Sequence, residues 1–247
     1  MQGERSRSKK PAAPSGGAVV YENLLLAAAP DSERRRLLAS CESVDLAFGD
    51  VLYAQGDRMR HLYFPTGSVI SLISSLDDRQ RLEVGLIGIE GMLGISLALG
   101  VGEASMRAVV QSAGSTLRME AAAFSRELLR SPGLTKVLHR YIHVLMNDLA
   151  QMATCSRFHL VEARVARWLL MTRDRAHSDE LHLTQEFIAH MLGVRRAGIV
   201  RAASDLQRRK LISYVRGAMI IVDRRGLEAS SCSCYATARD MHARLMQ

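Results

Sequence analysis

The side chains best placed to do chemistry in this sequence are cationic. Between positions 195 and 210 stand Arg195, Arg196, Arg201, Arg208, Arg209 and Lys210, and Arg216 follows in an Arg-Gly turn. A guanidinium presents its donors as a planar fork, which matches a phosphate or the acceptor edge of guanine. The cysteines form a second group. Cys232 and Cys234 are one residue apart and can offer two thiolates to a metal or form a strained redox pair. A metal site needs three or four ligands, and only Asp240 and His242 lie nearby in sequence. Cys41 and Cys155 stand alone and read as buried apolar residues. His139 and His143 share a helix face, where an interface or a wet position suits them better than a metal. No nucleophile–base set, Walker loop or HExxH motif is present. The reading is therefore no enzyme, no catalytic residue, no metal and no cofactor.

The elements around the arginines explain what they are for. Thr184 is a helix cap, with Gln185 and Glu186 in the first turn. A first helix is expected over 185–191, a tight turn at Gly193, and a second helix from Arg195 to Arg209. Ile188, Leu192, Val194 and Ile199 join the two helices, and Ala189 is small where they cross. This is a helix-turn-helix, whose second helix enters a major groove. Two short apolar runs, 211–215 and 218–222, flank Arg216-Gly217 and predict a β-hairpin wing. The expected DNA-binding set is Thr184, Gln185, Arg195, Arg196, Ala197, Arg201, Arg208, Arg209, Lys210 and Arg216. Gly198 inside the second helix costs about 1 kcal/mol relative to Ala and either admits a close DNA backbone or is merely tolerated.

Charge follows the same division. Of a net +8, residues 157–225 hold +7, with 14 Lys and Arg against seven Asp and Glu. Residues 18–156 hold −2. A basic segment beside a neutral one points to nucleic acid for the first and another task for the second. Residues 1–18 are rich in Ser, Gly, Pro and basic residues and read as a disordered tail. Pro30-Asp31-Ser32-Glu33 marks a helix start with Asp31 or Ser32 as cap. From 44 to about 119, short β-branched and apolar runs are punctuated by Gly and Asp at about ten-residue spacing, which predicts a small β-barrel or β-roll. Helical periodicity then covers 121–130, a long stretch from Leu134 to Phe158, and 160–175. The long stretch carries a stripe that includes Leu138, Ile142, Leu145, Leu149 and Met152, the expected dimer interface. No apolar run reaches the roughly 20 residues of a membrane span, no signal peptide opens the chain, and four Cys in 247 residues make no disulfide framework. A soluble, cytoplasmic protein is expected.

The order of roll, long helix, short helix and winged helix-turn-helix resembles the Crp/Fnr superfamily of transcription regulators, over roughly residues 22–225. The residues that carry the resemblance are Phe48 to Asp57 (FGDVLYAQGD), Gly67-Ser68-Val69, and Leu183 to Ala189 running into Leu192-Gly193-Val194-Arg195-Arg196. The resemblance implies an α+β fold with a cyclic-nucleotide-binding-like roll, a homodimer through the long helix, and double-stranded DNA as partner. It places base-reading arginines at Arg196 and Arg201, with Ala197 where the family often has Glu, so the operator differs from the cyclic-AMP receptor consensus. It also puts Ala104 where those receptors have their phosphate arginine, with Arg107 on the other strand face. An anionic phosphate without its cation is poorly compensated, so cyclic AMP is not the expected effector. Glu90, Gly91, Ser105 and Arg107 remain as candidates for contact with another ligand. The iron–sulfur cysteines of the oxygen-sensing relatives are missing from the first 40 residues.

The organisation expected is a tail (1–18), a roll (19–130), a dimerisation helix (131–159), a winged helix-turn-helix (160–226) and a helical tail (227–247). The function expected is a dimeric DNA-binding regulator whose roll takes an unknown small-molecule effector or only supports dimerisation. A cyclic-nucleotide-activated regulator is the alternative within that class. A metal- or ligand-binding enzyme on the roll is the alternative outside it, and the lone His61 in the roll argues against that. RNA polymerase is a further partner if the chain activates, though no motif reveals the surface.

Overall fold

Seven strands build the N-terminal half: β1 (Cys41–Leu46), β2 (Val51–Tyr53), β3 (His61–Pro65), β4 (Val69–Ser75), β5 (Arg81–Ile87), β6 (Arg107–Ser112) and β7 (Gly114–Glu120). The computed structural model describes residues 22–77, 80–215 and 217–246. The expected tail and Arg216 lie outside the described residues. The strands pair antiparallel in two sheets, β1-β7-β3 and β2-β6-β4-β5. Their two-residue alternation gives each sheet two apolar faces. In β3, Tyr63 points into the roll with Tyr53, Ile70, Leu93 and Val110, whereas Leu62 and Phe64 point to the helices. β1 was not apparent in the sequence. It lies beside β7 alone, and its Glu42, Ser43 and Asp45 break any apolar pattern.

Three short helices, α1 (Leu24–Ala27), α2 (Asp31–Leu38) and α3 (Ala121–Leu128), cover the outer face of β3 and β7. The cap of α2 is Pro30, with Asp31 already in the first turn, so neither expected cap residue holds that position. The long helix α4 spans Pro132–Phe158, about 40 Å at 1.5 Å per residue. Pro132 suits its first turn, where no backbone donor is needed. Leu134, Val137, Leu138, Tyr141 and Val144 bury one face of it against the roll.

The chain leaves α4 through extended residues His159 and Leu160 and enters α5 (Val161–Ala176). Then come β8 (Glu180–His182), α6 (Gln185–Leu192), α7 (Arg196–Arg208), β9 (Ile212–Val215), β10 (Ala218–Ile221), α8 (Arg224–Ser230) and α9 (Cys234–Leu245). The wing is a three-stranded sheet in the order β8-β10-β9, so the loop expected over 176–181 ends in a strand. The tail is two helices, of which α9 packs on α4 and α5. Among the described residues, no helix is long and apolar enough to cross a membrane.

The basic C-terminal part docks directly on the roll. Val69, Ile73 and Leu86 of the roll share one core with Val165, Trp168, Leu169, Ile188 and Leu192. Phe187 of α6 lies 6.3 Å from Phe48 and 6.4 Å from Trp168, ring centre to ring centre. Glu90 and Arg175 make a 2.7 Å ion pair across the same junction.

Candidate nucleic-acid interface

The helix-turn-helix is built as its residue types dictate. Thr184 accepts a hydrogen bond from the Phe187 backbone N–H at 3.1 Å and so caps α6. Gly193 closes α6 at φ +61°, a conformation that costs glycine nothing. Ile188, Ala189, Leu192, Ile199, Ala202, Ala203 and Leu206 are buried between the helices and against α5. That leaves the opposite side of α7 in solvent. Arg195, Arg196, Ala197, Val200, Arg201, Ser204, Gln207 and Arg208 are exposed. A described partner in a hydrogen bond or ion pair is absent for the side chains of Arg195, Arg196, Arg201 and Lys210. These four cations are available to an outside ligand.

Two of the expected basic contacts are occupied within the chain. Arg209 donates to Glu162 at 2.8 Å and to Ser230 Oγ at 2.6 Å, so it ties the end of α7 to α5 and α8. Arg208 pairs with Asp205 one turn earlier at 2.8 Å, while its side chain stays 76% exposed. Lys210 adopts φ +59° just beyond α7, and Leu211 N–H bonds to Leu206 C=O at 3.0 Å to close a Schellman turn. Gln185 is half-buried and Thr184 exposed, both at the start of α6. Gly198 has open space around it, because an added Cβ would meet only Val161 Cγ1 at 3.8 Å. Packing within the chain therefore does not require glycine there.

The four expected ligand contacts in the roll do not converge. Glu90 is engaged by Arg175 and by the Gly88 backbone N–H. Gly91 lies against Tyr141, whose hydroxyl a Cβ would overlap. Ser105 is exposed at the edge of the space inside the roll, and Arg107 lines a separate surface groove with Asp77 and Arg81. The space inside the roll is about 90 Å³ and is lined by Tyr53, Met59, Ile87, Leu93, Ala104 and Leu145 among others. Ala104 lies buried in that wall, and no cation stands among the lining residues.

The dimer stripe divides between two sides of α4. Leu138 is 1% exposed in the core beneath the roll. Leu145 packs against that core, and Met152 lines a cleft between α4, β5 and α5. Leu149 is 45% exposed at the rim of that cleft, and Ile142 is half-exposed. Met146, which the sequence stripe left out, is 64% exposed between them. Cys155 read as isolated, and Cys232 and Cys234 lacked further ligands in the sequence. The fold brings Cys155 and His159 to both.

Residues 163–230 match the sequence profile of the Crp-like helix-turn-helix domain. No curated protein matches the chain in a sequence comparison. Solved structures match it at low identity. The c-di-GMP-responsive global regulator CLP of Xanthomonas campestris is 16% identical, with a TM-score of 0.63 over 78% of this chain and 99% of that one. FixK2 of Bradyrhizobium japonicum is 13% identical, with a TM-score of 0.66 over 78% and 98%. A CRP-family transcriptional regulator from Thermus thermophilus is 19% identical, with a TM-score of 0.62 over 76% and 96%. The fold is that of the Crp/Fnr regulators, as the sequence led us to expect.

Proposed function

We propose that this chain, a Crp-like helix-turn-helix domain on a Crp/Fnr fold, is a sequence-specific DNA-binding transcription regulator acting as a homodimer in the cytoplasm. The observation that carries the reading is the outer face of α7. It offers Arg195, Arg196 and Arg201, without a partner among the described residues, to solvent from a helix whose other side is locked into a core. Such a helix fits a major groove, where Arg reads guanine through two hydrogen bonds. Arg196 and Arg201 are the proposed base readers. Arg195, Arg208 and Lys210 are the proposed phosphate contacts, and Arg209 acts within the chain as a brace for α7.

Dimerisation is assigned to the outward face of α4. Ile142, Met146, Leu149 and Ala153 recur at four, three and four residues, the seam of a two-stranded coiled coil. The roll then serves as the platform for α4 and the DNA-binding domain. Its interior does not suit cyclic AMP, because about 90 Å³ of mostly apolar space falls well below the roughly 300–1,000 Å³ of ligand clefts. A buried phosphate there would also meet no cation.

Fluorescence anisotropy on a selected duplex and on a scrambled one tests the role of Arg196. Arg196→Ala is expected to weaken binding to the selected duplex by about 1–3 kcal/mol and the scrambled one far less. Equal losses on both would remove Arg196 from base reading.

A further inference from the structure

We propose that Cys155, His159, Cys232 and Cys234 form a tetrahedral site for a single Zn²⁺ ion. Cys155 and His159 are one turn apart at the end of α4, and Cys232 and Cys234 flank Ser233 at the start of α9. Their ligand atoms all lie within 4.8 Å of one another. Cys155 Sγ is 3.6 Å from Cys232 Sγ, and Cys234 Sγ is 3.6 Å from His159 Nδ1. Zinc bonds of about 2.3 Å to sulfur and 2.0 Å to nitrogen give tetrahedral edges of about 3.8 and 3.5 Å. The observed spacings are close to those edges and far longer than a disulfide bond. They also suit one ion better than a multi-iron cluster, which spreads its thiolates further apart.

The surroundings favour a metal over plain packing. The three cysteines are buried, and among the described residues Ala163 is the one partly buried apolar neighbour of their cluster. The tail is anchored elsewhere, by Leu227 and Tyr235 in the core shared with α5 and α7, so the cysteines are not needed to hold it by packing. Binding converts three thiols to thiolates and releases three protons, leaving a site of net charge −1 with neutral His159. Arg164 and Arg167 line the same cleft as Cys155. Arg167 is 8% exposed, and its Nε has no hydrogen-bond partner among the described residues. A negatively charged centre beside it answers that buried cation. The helix N-terminus of α9, 12 residues long, begins at Cys234 and favours the thiolates further.

The ion would pin the junction of α8 and α9 to the point where α4 gives way to α5. That point sets how the DNA-binding domain leaves the long helix. The site rests on its own four side chains and stands whether or not the chain binds DNA.

The test is metal analysis of the purified full-length chain, followed by chelation under reducing conditions and anaerobic titration with Co²⁺. About one zinc per chain is expected, then uptake of about one Co²⁺ with the intense visible bands of tetrahedral cobalt and a thiolate charge-transfer band. Cys232→Ser combined with Cys234→Ser should lower metal content roughly tenfold or more, while Cys41→Ser should keep it. The wild-type titration does not depend on how the variants fold. A stripped, reduced wild-type chain that takes up no Co²⁺, or shows only weak octahedral bands, would overturn the proposal. So would a Cys155–Cys232 disulfide that takes no metal after reduction.

Discussion

Glu83 on β5 holds the DNA-binding domain to the roll through a buried chain of hydrogen bonds, and its charge state should be measurable as stability. Trp168 Nε1–H donates to Glu83 Oε1 at 2.6 Å. Glu83 Oε2 is 2.7 Å from Ser71 Oγ, which is 2.6 Å from Gln111 Oε1. Gln111 then donates to Thr172 of α5 at 3.2 Å. Ser71 has one proton for two neighbouring acceptors. The chain closes when Glu83 is protonated and donates to Ser71, which donates to Gln111. Burial pushes the Glu83 carboxyl up to about 7, although bonds from Ser71 and Trp168 and the charges of Arg175 and Arg167 pull it down. A carboxyl raised in the fold contributes stability that is complete below the unfolded value of about 4.3 and is lost as pH rises through about 7. That rise is worth about 3 kcal/mol at low pH, lost progressively between about pH 4 and 7. Glu83→Gln keeps the shape and both kinds of hydrogen bond without the charge. Urea unfolding of both proteins from pH 5 to 8 should give a difference curve that shifts by about 2–3 kcal/mol in favour of Gln, half complete near pH 6 and flat above about pH 7.5. A flat difference curve would refute the argument.

Three further outcomes follow from the packing. Gly198→Ala should raise stability by about 1 kcal/mol, because the new methyl meets only Val161 at 3.8 Å. A lower melting temperature would mean that the backbone of α7 needs glycine. Met146→Asp with Leu149→Asp should convert a dimer to a folded monomer in sedimentation, since these side chains are 64% and 45% exposed; an unchanged mass would move the interface off α4. Gly91→Ala should destabilise by about 1–3 kcal/mol because its Cβ overlaps the Tyr141 hydroxyl, and denaturation unchanged from wild type would contradict that contact.

The helix-turn-helix was readable because its constraints are local. A cap at Thr184, a left-handed turn at Gly193 and apolar residues at 188, 192, 194 and 199 lie within 16 residues. The wing hairpin was also local, but β8 was not, since its three residues gain meaning only by pairing with β10. The dimer stripe went partly astray because α4 has two apolar faces. One turns Leu138 and Tyr141 to the roll and the other turns Met146 and Leu149 outward, so periodicity alone merges them. Half of the cysteine–histidine cluster was visible as the Cys232-x-Cys234 pair, but Cys155 and His159 were not, since Cys155 and Cys232 stand 77 positions apart in sequence. Docking of Trp168 on Glu83 and of Arg175 on Glu90 joins partners 85 residues apart and was likewise unreadable.

In the proposed function, two copies of this chain read DNA sequence through α7. Selection of bound fragments from genomic DNA at physiological salt, with wild type beside Arg196→Ala, tests it most directly. A two-fold-symmetric motif is expected, with half-sites about one helical turn, roughly 34 Å, apart, enriched by wild type and lost with the variant. Enrichment of the same motif by both proteins, or a motif without two-fold symmetry, would contradict it.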